Sequence, residues 1–104
     1  MDRRHLEYFL AVADYGGFTN AAHALRVAQP SLSQAIKGLE SELGVELFRR
    51  IPQGTRLTSA GESLLGPARQ TLRDFAAAQA AVRGIRTLES GRLDIASLPG
   101  LGRK

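Results

Sequence analysis

The stretch AQPSLSQAIKGLESELG, residues 28–44, decides the fold. Leu32, Ile36, Leu39 and Leu43 recur in it at spacings of four, three and four, which puts them on one face of a helix. Pro30 suits the first turn, where its missing N–H has no partner to lose, and Gly44 supplies a stop. These residues predict a helix over about 30–43. Its other face carries Ser31, Ser33, Gln34, Lys37 and Ser41, short or amide-bearing and mostly uncharged, while the acids Glu40 and Glu42 come only at the far end.

Upstream, Leu6, Phe9, Leu10 and Ala13 predict an amphipathic helix over 3–14, ended by Gly16-Gly17. Phe18-Thr19-Asn20 opens a second, short helix in which Thr19 is the expected N-cap and Ala21, Ala22, Ala24 and Leu25 form a small apolar face. Only Arg26 to Gln29 separate this helix from the next, so the chain must turn sharply and cross. That is a helix-turn-helix pattern, and it changes what the polar face of the third helix can do. On an anonymous helix such a face is commonly solvent dressing. Behind a helix-turn-helix, its serines, amide and lysine suit the donors and acceptors of base edges in a DNA major groove.

Downstream, Val45, Leu47 and Phe48 on one side and Arg56-Leu57-Thr58 on the other flank Ile51-Pro52-Gln53-Gly54-Thr55, a turn between two short extended segments. This predicts a two-stranded wing. Thr58 or Ser59 can cap a fourth helix, with Glu62 completing a capping box. From Ser59 to about Glu89, Leu65 (or Leu64), Ala68, Leu72, Phe75, Gln79, Val82 and Ile85 or Arg86 follow a three-four alternation, over a helix of roughly 46 Å. Gly61, Gly66 and Gly84 each weaken it by about 1 kcal/mol and Pro67 removes a donor, so burial against a partner must compensate. The seam therefore predicts self-association, with Gln79 as a polar interruption able to favour one register. Ser90-Gly91 breaks the helix, and Arg92 to Ala96 alternates like the start of a strand, after which the remaining residues are too few for a domain.

The whole chain has 104 residues, one compact domain and a fragment of a second. Without cysteine, a disulfide framework and thiolate metal sites are excluded, and His5 and His23 are too few for a histidine-rich one. No apolar run is long enough for a membrane span and no signal peptide opens the chain, so a cytoplasmic location is expected. The net charge of +4 is weak evidence for a polyanionic partner by itself. Its distribution says more: Arg49, Arg50 and Arg56 stand in a window without an acid, a cationic tip on the wing. No nucleophile–histidine–acid pattern or glycine-rich phosphate loop is present, and an enzyme is not expected.

Five strings now stand in order: Leu6-Glu7-Tyr8-Phe9-Leu10-Ala11-Val12-Ala13; Gly17-Phe18-Thr19-Asn20-Ala21-Ala22; Ala28 to Ile36; Leu39-Glu40, Leu43-Gly44 and Leu47-Phe48; and Leu57-Thr58-Ser59-Ala60-Gly61. Together they resemble the N-terminal DNA-binding region of LysR-type transcriptional regulators. The resemblance implies a mainly α winged helix-turn-helix with a two-stranded wing and a long C-terminal linker helix used for dimerisation. Its divisions would be 1–58 for the DNA-binding domain, 59–90 for the linker helix, and 91–104 for a hinge and the truncated start of an effector-binding domain. No cofactor is expected in this fragment, and an unknown small-molecule effector is expected for the full-length protein. The implied partners are double-stranded DNA and a second copy of the chain. A tetramer and an RNA polymerase contact are left open for the full-length regulator. Two residues depart from the family pattern. Ala28 stands where relatives often carry a capping Ser or Thr, and Gln53 and Gly54 stand where they carry further arginine.

On this reading Gln29, Pro30, Ser31, Ser33 and Gln34 face base edges, the first two by resemblance alone, and Lys37 meets phosphate or a guanine edge. Arg49, Arg50, Gln53 and Arg56 on the wing hold the backbone or enter a narrow minor groove. Thr19 and Asn20 could touch phosphate, as could Arg3, Arg4 and Arg26, against an equal claim for plain surface roles. Leu65, Ala68, Leu72, Phe75, Gln79 and Val82 form the dimer seam. The competing reading makes the long helix the working part of a protein–protein interaction module that binds no DNA.

Overall fold

The computed structural model describes residues 1–90, with side chains up to residue 85. Four helices and one hairpin follow in the order α1 (Arg3–Tyr15), α2 (Phe18–Leu25), α3 (Gln29–Leu43), β1 (Phe48–Ile51), β2 (Gly54–Leu57) and α4 (Ser59–Ser90). The suggested strand after Gly91 lies outside the described residues.

Local chemistry sets the helix ends. Asp2 caps α1 by accepting from the His5 backbone N–H at 2.9 Å, and the His5 ring accepts in return from the Asp2 N–H at 3.3 Å. His5 thus closes a capping box. Gly16 ends α1 in the left-handed conformation at φ 74°. The N-cap of α2 is Gly17, not Thr19, and no side chain caps it. Helical geometry begins at Phe18 because its ring must enter the core, which leaves Thr19 exposed within the first turn. Arg26 ends α2 at φ 61°, a left-handed conformation that costs a branched-free L-residue about 1–2 kcal/mol. The Val27 N–H closes that turn on the Ala22 carbonyl at 3.0 Å, and Val27 packs against the core.

Helix α1 packs on α2 and α3, and α2 packs on α3. Leu32, Ile36 and Leu39 of α3 are 0–2% exposed, as the periodicity predicts, but Leu43 is 39% exposed. The apolar stripe thus outruns the core by one residue.

The hairpin is antiparallel with Phe48 opposite Leu57, Arg49 opposite Arg56, Arg50 opposite Thr55 and Ile51 opposite Gly54. Its turn is only Pro52-Gln53; Ile51, Gly54 and Thr55, read as loop, belong to the strands. Phe48 roots the hairpin, its ring centroid 5.3 Å from that of Phe9 and 5.7 Å from that of Phe18. The Glu40 carboxylate fastens the approach to β1, accepting from the Leu47 N–H at 2.7 Å and the Phe48 N–H at 3.3 Å.

Thr58 caps α4: its hydroxyl accepts from the Gly61 N–H at 3.1 Å and donates to the Glu46 carbonyl at 2.6 Å. Glu62 lies one residue past the capping-box position, so its contribution is an acid in the first turn, favourable to the helix dipole.

Two compact units divide the chain, Met1–Leu72 and Arg73–Lys104. The first takes in α4 as far as Leu72. Ala68 is 1% exposed inside the first unit's core, with Leu64, Leu65 and Leu72 packed around it, and Arg69 clasps Asp14 of α1 through two hydrogen bonds of 2.7 and 3.2 Å. Leu65, Ala68 and Leu72, read as dimer seam, also pack on the head's own core, Ala68 fully and the two leucines in part. A three-four alternation records that a helix face is buried; it does not record against what.

Candidate nucleic-acid interface

The exposed face of α3 begins at its first turn. Gln29 is the first helical residue, Ala28 offers no capping side chain, and Pro30 removes one N–H that would otherwise need a partner. Pro30, Ser31, Gln34 and Lys37 are exposed; Gln29 and Ser33 are half-buried. These last two are joined by a hydrogen bond in which the Gln29 amide donates to the Ser33 hydroxyl at 3.0 Å. All six predicted base-facing residues thus lie on one helix, clear of the core face of Leu32, Ile36 and Leu39.

The wing adds the cationic part. Arg49 and Arg56 are cross-strand partners, exposed on the same side of the hairpin. Like charges set directly opposite each other repel, so this pairing lowers hairpin stability unless an anion meets it. Among the described residues no ion pair engages Arg49, Arg50, Arg56 or Lys37. Arg50 takes a different position, its guanidinium 4.8 Å from the centroid of the Phe18 ring. That cation–π contact holds the head group over the start of α2 and leaves its N–H donors available. Gln53 is exposed at the hairpin turn, and Thr19 and Asn20 are exposed in the first turn of α2.

An open cleft of about 290 Å³ joins the two parts. Ser33 and Lys37 of α3 line it on one side and Arg49 and Arg50 of β1 on the other, over a floor of Phe18 and Phe48; Glu40 and Glu46 stand at its acidic end. The Glu40 carboxylate is occupied by backbone N–H groups, so its charge is already engaged there.

Sequence reading missed Phe18 as the seat of Arg50 and Glu40 as the clamp on β1. Neither carries a local signal, since each partner is distant in sequence or is a backbone group. The two sets that sequence reading kept separate, the α3 face and the wing arginines, meet in one cleft through Ser33 and Lys37 on one side and Arg49 and Arg50 on the other.

A polar helix face behind a tight helix-turn-helix, flanked by a hairpin with opposed arginines, is the constellation of a known group of regulators. Residues 3–62 match the family described as bacterial regulatory helix-turn-helix protein, lysR family. The chain belongs to this family. Two relatives of the lysR type give the scale of the likeness. The chain is 47% identical over 95 residues to the HTH-type transcriptional regulator BudR of Klebsiella aerogenes, a match covering 91% of this chain and 66% of that protein. It is 43% identical over 99 residues to the HTH-type transcriptional regulator TfdT of Cupriavidus pinatubonensis, covering 91% of this chain and 42% of that one. The chain thus spans less than two thirds of either regulator. Among solved structures, the CbnR_DBD–DNA complex superposes with a TM-score of 0.78 at 37% identity, over 83% of this chain and 99% of that one. The fold is accordingly a lysR-type winged helix-turn-helix, mainly helical with a two-stranded antiparallel wing. No helix among the described residues is long and apolar enough to cross a membrane.

Proposed function

We propose that this chain binds double-stranded DNA sequence-specifically and regulates transcription in the bacterial cytoplasm as a homodimer. The observation that carries the reading is the cleft in which Ser33 and Lys37 of α3 face Arg49 and Arg50 of the wing, three cations with no ion-pair partner among the described residues. Helix α3 enters the major groove and its first two turns meet base edges, while the wing holds the sugar-phosphate backbone or the minor groove beside it. The DNA-bound state of the CbnR_DBD structure supports this.

In this proposal residues 1–58 read DNA, α4 continues as the linker, and residues 91–104 lead toward an effector-binding domain. That domain would take a small molecule, and the full regulator could pair into tetramers and touch RNA polymerase. Dimerisation falls to the later part of α4. Phe75, Val82 and Ile85 are 43%, 69% and 56% exposed, and with Ala78 they repeat the three-four spacing. Gln79 borders the same apolar surface, which encloses a shallow hollow of about 440 Å³ with Phe75, Ala78, Val82 and Arg83.

A binding titration across ionic strength tests the reading. Log affinity for a selected duplex should fall against log salt with a slope of about −0.9 per phosphate contact. Arg50→Ala should weaken binding to all duplexes alike and make that slope shallower by about one contact. A flat salt response would overturn the reading and favour the protein-interaction alternative.

A further inference from the structure

The one side chain–side chain hydrogen bond described on the exposed face of α3 joins two residues that both stand at the DNA-reading end: the Gln29 amide donates to the Ser33 hydroxyl at 3.0 Å. Gln29 is the first residue of the helix and Ser33 lies one turn later on the same side. A primary amide has two N–H donors and an oxygen with two lone pairs. One N–H goes to Ser33, which leaves the other N–H and Oε1 together on the amide edge. That edge, one donor beside one acceptor, is the complement of adenine in the major groove, where N7 accepts and the N6 amino group donates. Pairing with adenine uses the N–H on the same side as Oε1, and the opposite N–H is the one Ser33 can hold at the same time. Guanine presents two acceptors, N7 and O6, and would set O6 against Oε1.

We infer that Gln29 and Ser33 form a single reading unit for an adenine edge, with Ser33 as a positioning residue that orients the Gln29 amide instead of reading a base pair of its own. The inference rests on the DNA-binding function proposed above and deepens it to one residue pair and one base. Gln29 has three rotatable side-chain bonds, and their freedom opposes any fixed pose. The hydroxyl removes that freedom before DNA arrives, and Pro30 stiffens the backbone immediately after Gln29. Both side chains are half-buried, in keeping with a held pair, whereas Ser31 and Gln34 are exposed.

The test uses the full chain and duplexes selected from a random pool, with the base at each position then varied. Gln29→Ala and Ser33→Ala should each lose about tenfold discrimination, at the same base pair, and the double variant should lose no more than Gln29→Ala alone. Replacing the adenine there with 7-deazaadenine, which lacks the N7 acceptor, should lower the affinity of the parent about tenfold and leave Gln29→Ala unaffected. Ser33→Thr, which keeps the hydroxyl, should retain the preference. Discrimination lost at two different base pairs, additive losses, or a guanine preferred at that position would overturn the inference while salt-dependent duplex binding persisted. Loss of all salt-dependent duplex binding by the parent chain would overturn the DNA-binding proposal and this inference with it.

Discussion

Gly61 lies in the first turn of α4, where an added Cβ would overlap the Leu47 carbonyl oxygen and sit 2.7 Å from Leu57 Cδ2. Helix propensity alone makes alanine better there by about 1 kcal/mol, but the obstacle is backbone and cannot swing aside. We expect Gly61→Ala to lower stability by about 1–3 kcal/mol in a denaturant titration. Gly66 and Gly84 have open space at the same point, so alanine there should raise stability, by up to about 1 kcal/mol. Asp14 is a second residue whose role is set by one contact. The hydrogen bonds from Arg69, with its charge adding, hold the Asp14 carboxyl below the ordinary carboxylate range. Its folded-state pKa lies under its unfolded value, so the stabilisation is complete above the unfolded pKa of about 3.9 and is lost as pH falls through the folded one. The stability gap between the parent and Asp14→Asn should therefore be constant from about pH 7 to 5 and close as pH drops below about 4. A gap unchanged in acid would mean that Arg69 packs against α1 without drawing on the Asp14 charge.

Helix α3 begins without a side-chain cap, because Ala28 occupies the N-cap position. Serine there could accept from a first-turn N–H, and Ala28→Ser should add about 0.5–1 kcal/mol to stability by thermal or chemical melting. The base preference of the domain should stay as it is, since the cap faces the helix's own backbone. On the wing, Arg49 opposite Arg56 is a poor cross-strand pair for a hairpin, and under the proposed DNA-binding function a bound phosphate would relieve it. Glu40 illustrates how an element depends on another: the charge read as an outlying acid on α3 fixes where β1 starts and, through it, where the arginines stand.

Across the molecule, α4 has two employments. Up to Leu72 it completes the head's core, and beyond it Phe75, Val82 and Ile85 present apolar surface. The proposed dimer uses only this later part. Val82 is 69% exposed, so Val82→Glu removes nothing from the core. It should convert the chain to monomer in analytical ultracentrifugation and weaken binding to a duplex with two half-sites, while affinity for a single half-site holds. An unchanged dimer would place the interface elsewhere.

Periodicity and turn chemistry determined the helices, the wing and which side of α3 stays out of the core, because each depends on neighbours within a few positions. Of the stripe Leu32, Ile36, Leu39 and Leu43 all but the last are buried, Gly44 stops the helix, and the turn read over residues 51–55 is present, narrowed to Pro52-Gln53. Four matters were settled only by packing between distant segments: the start of α2 at Phe18, the seating of Arg50 on that ring, the need for Gly61 beside Leu47, and the burial of Ala68 in the head's core. A pattern along the chain tells that a side chain is covered. What covers it depends on which other surfaces the fold brings near, and that distance is not written in any local spacing.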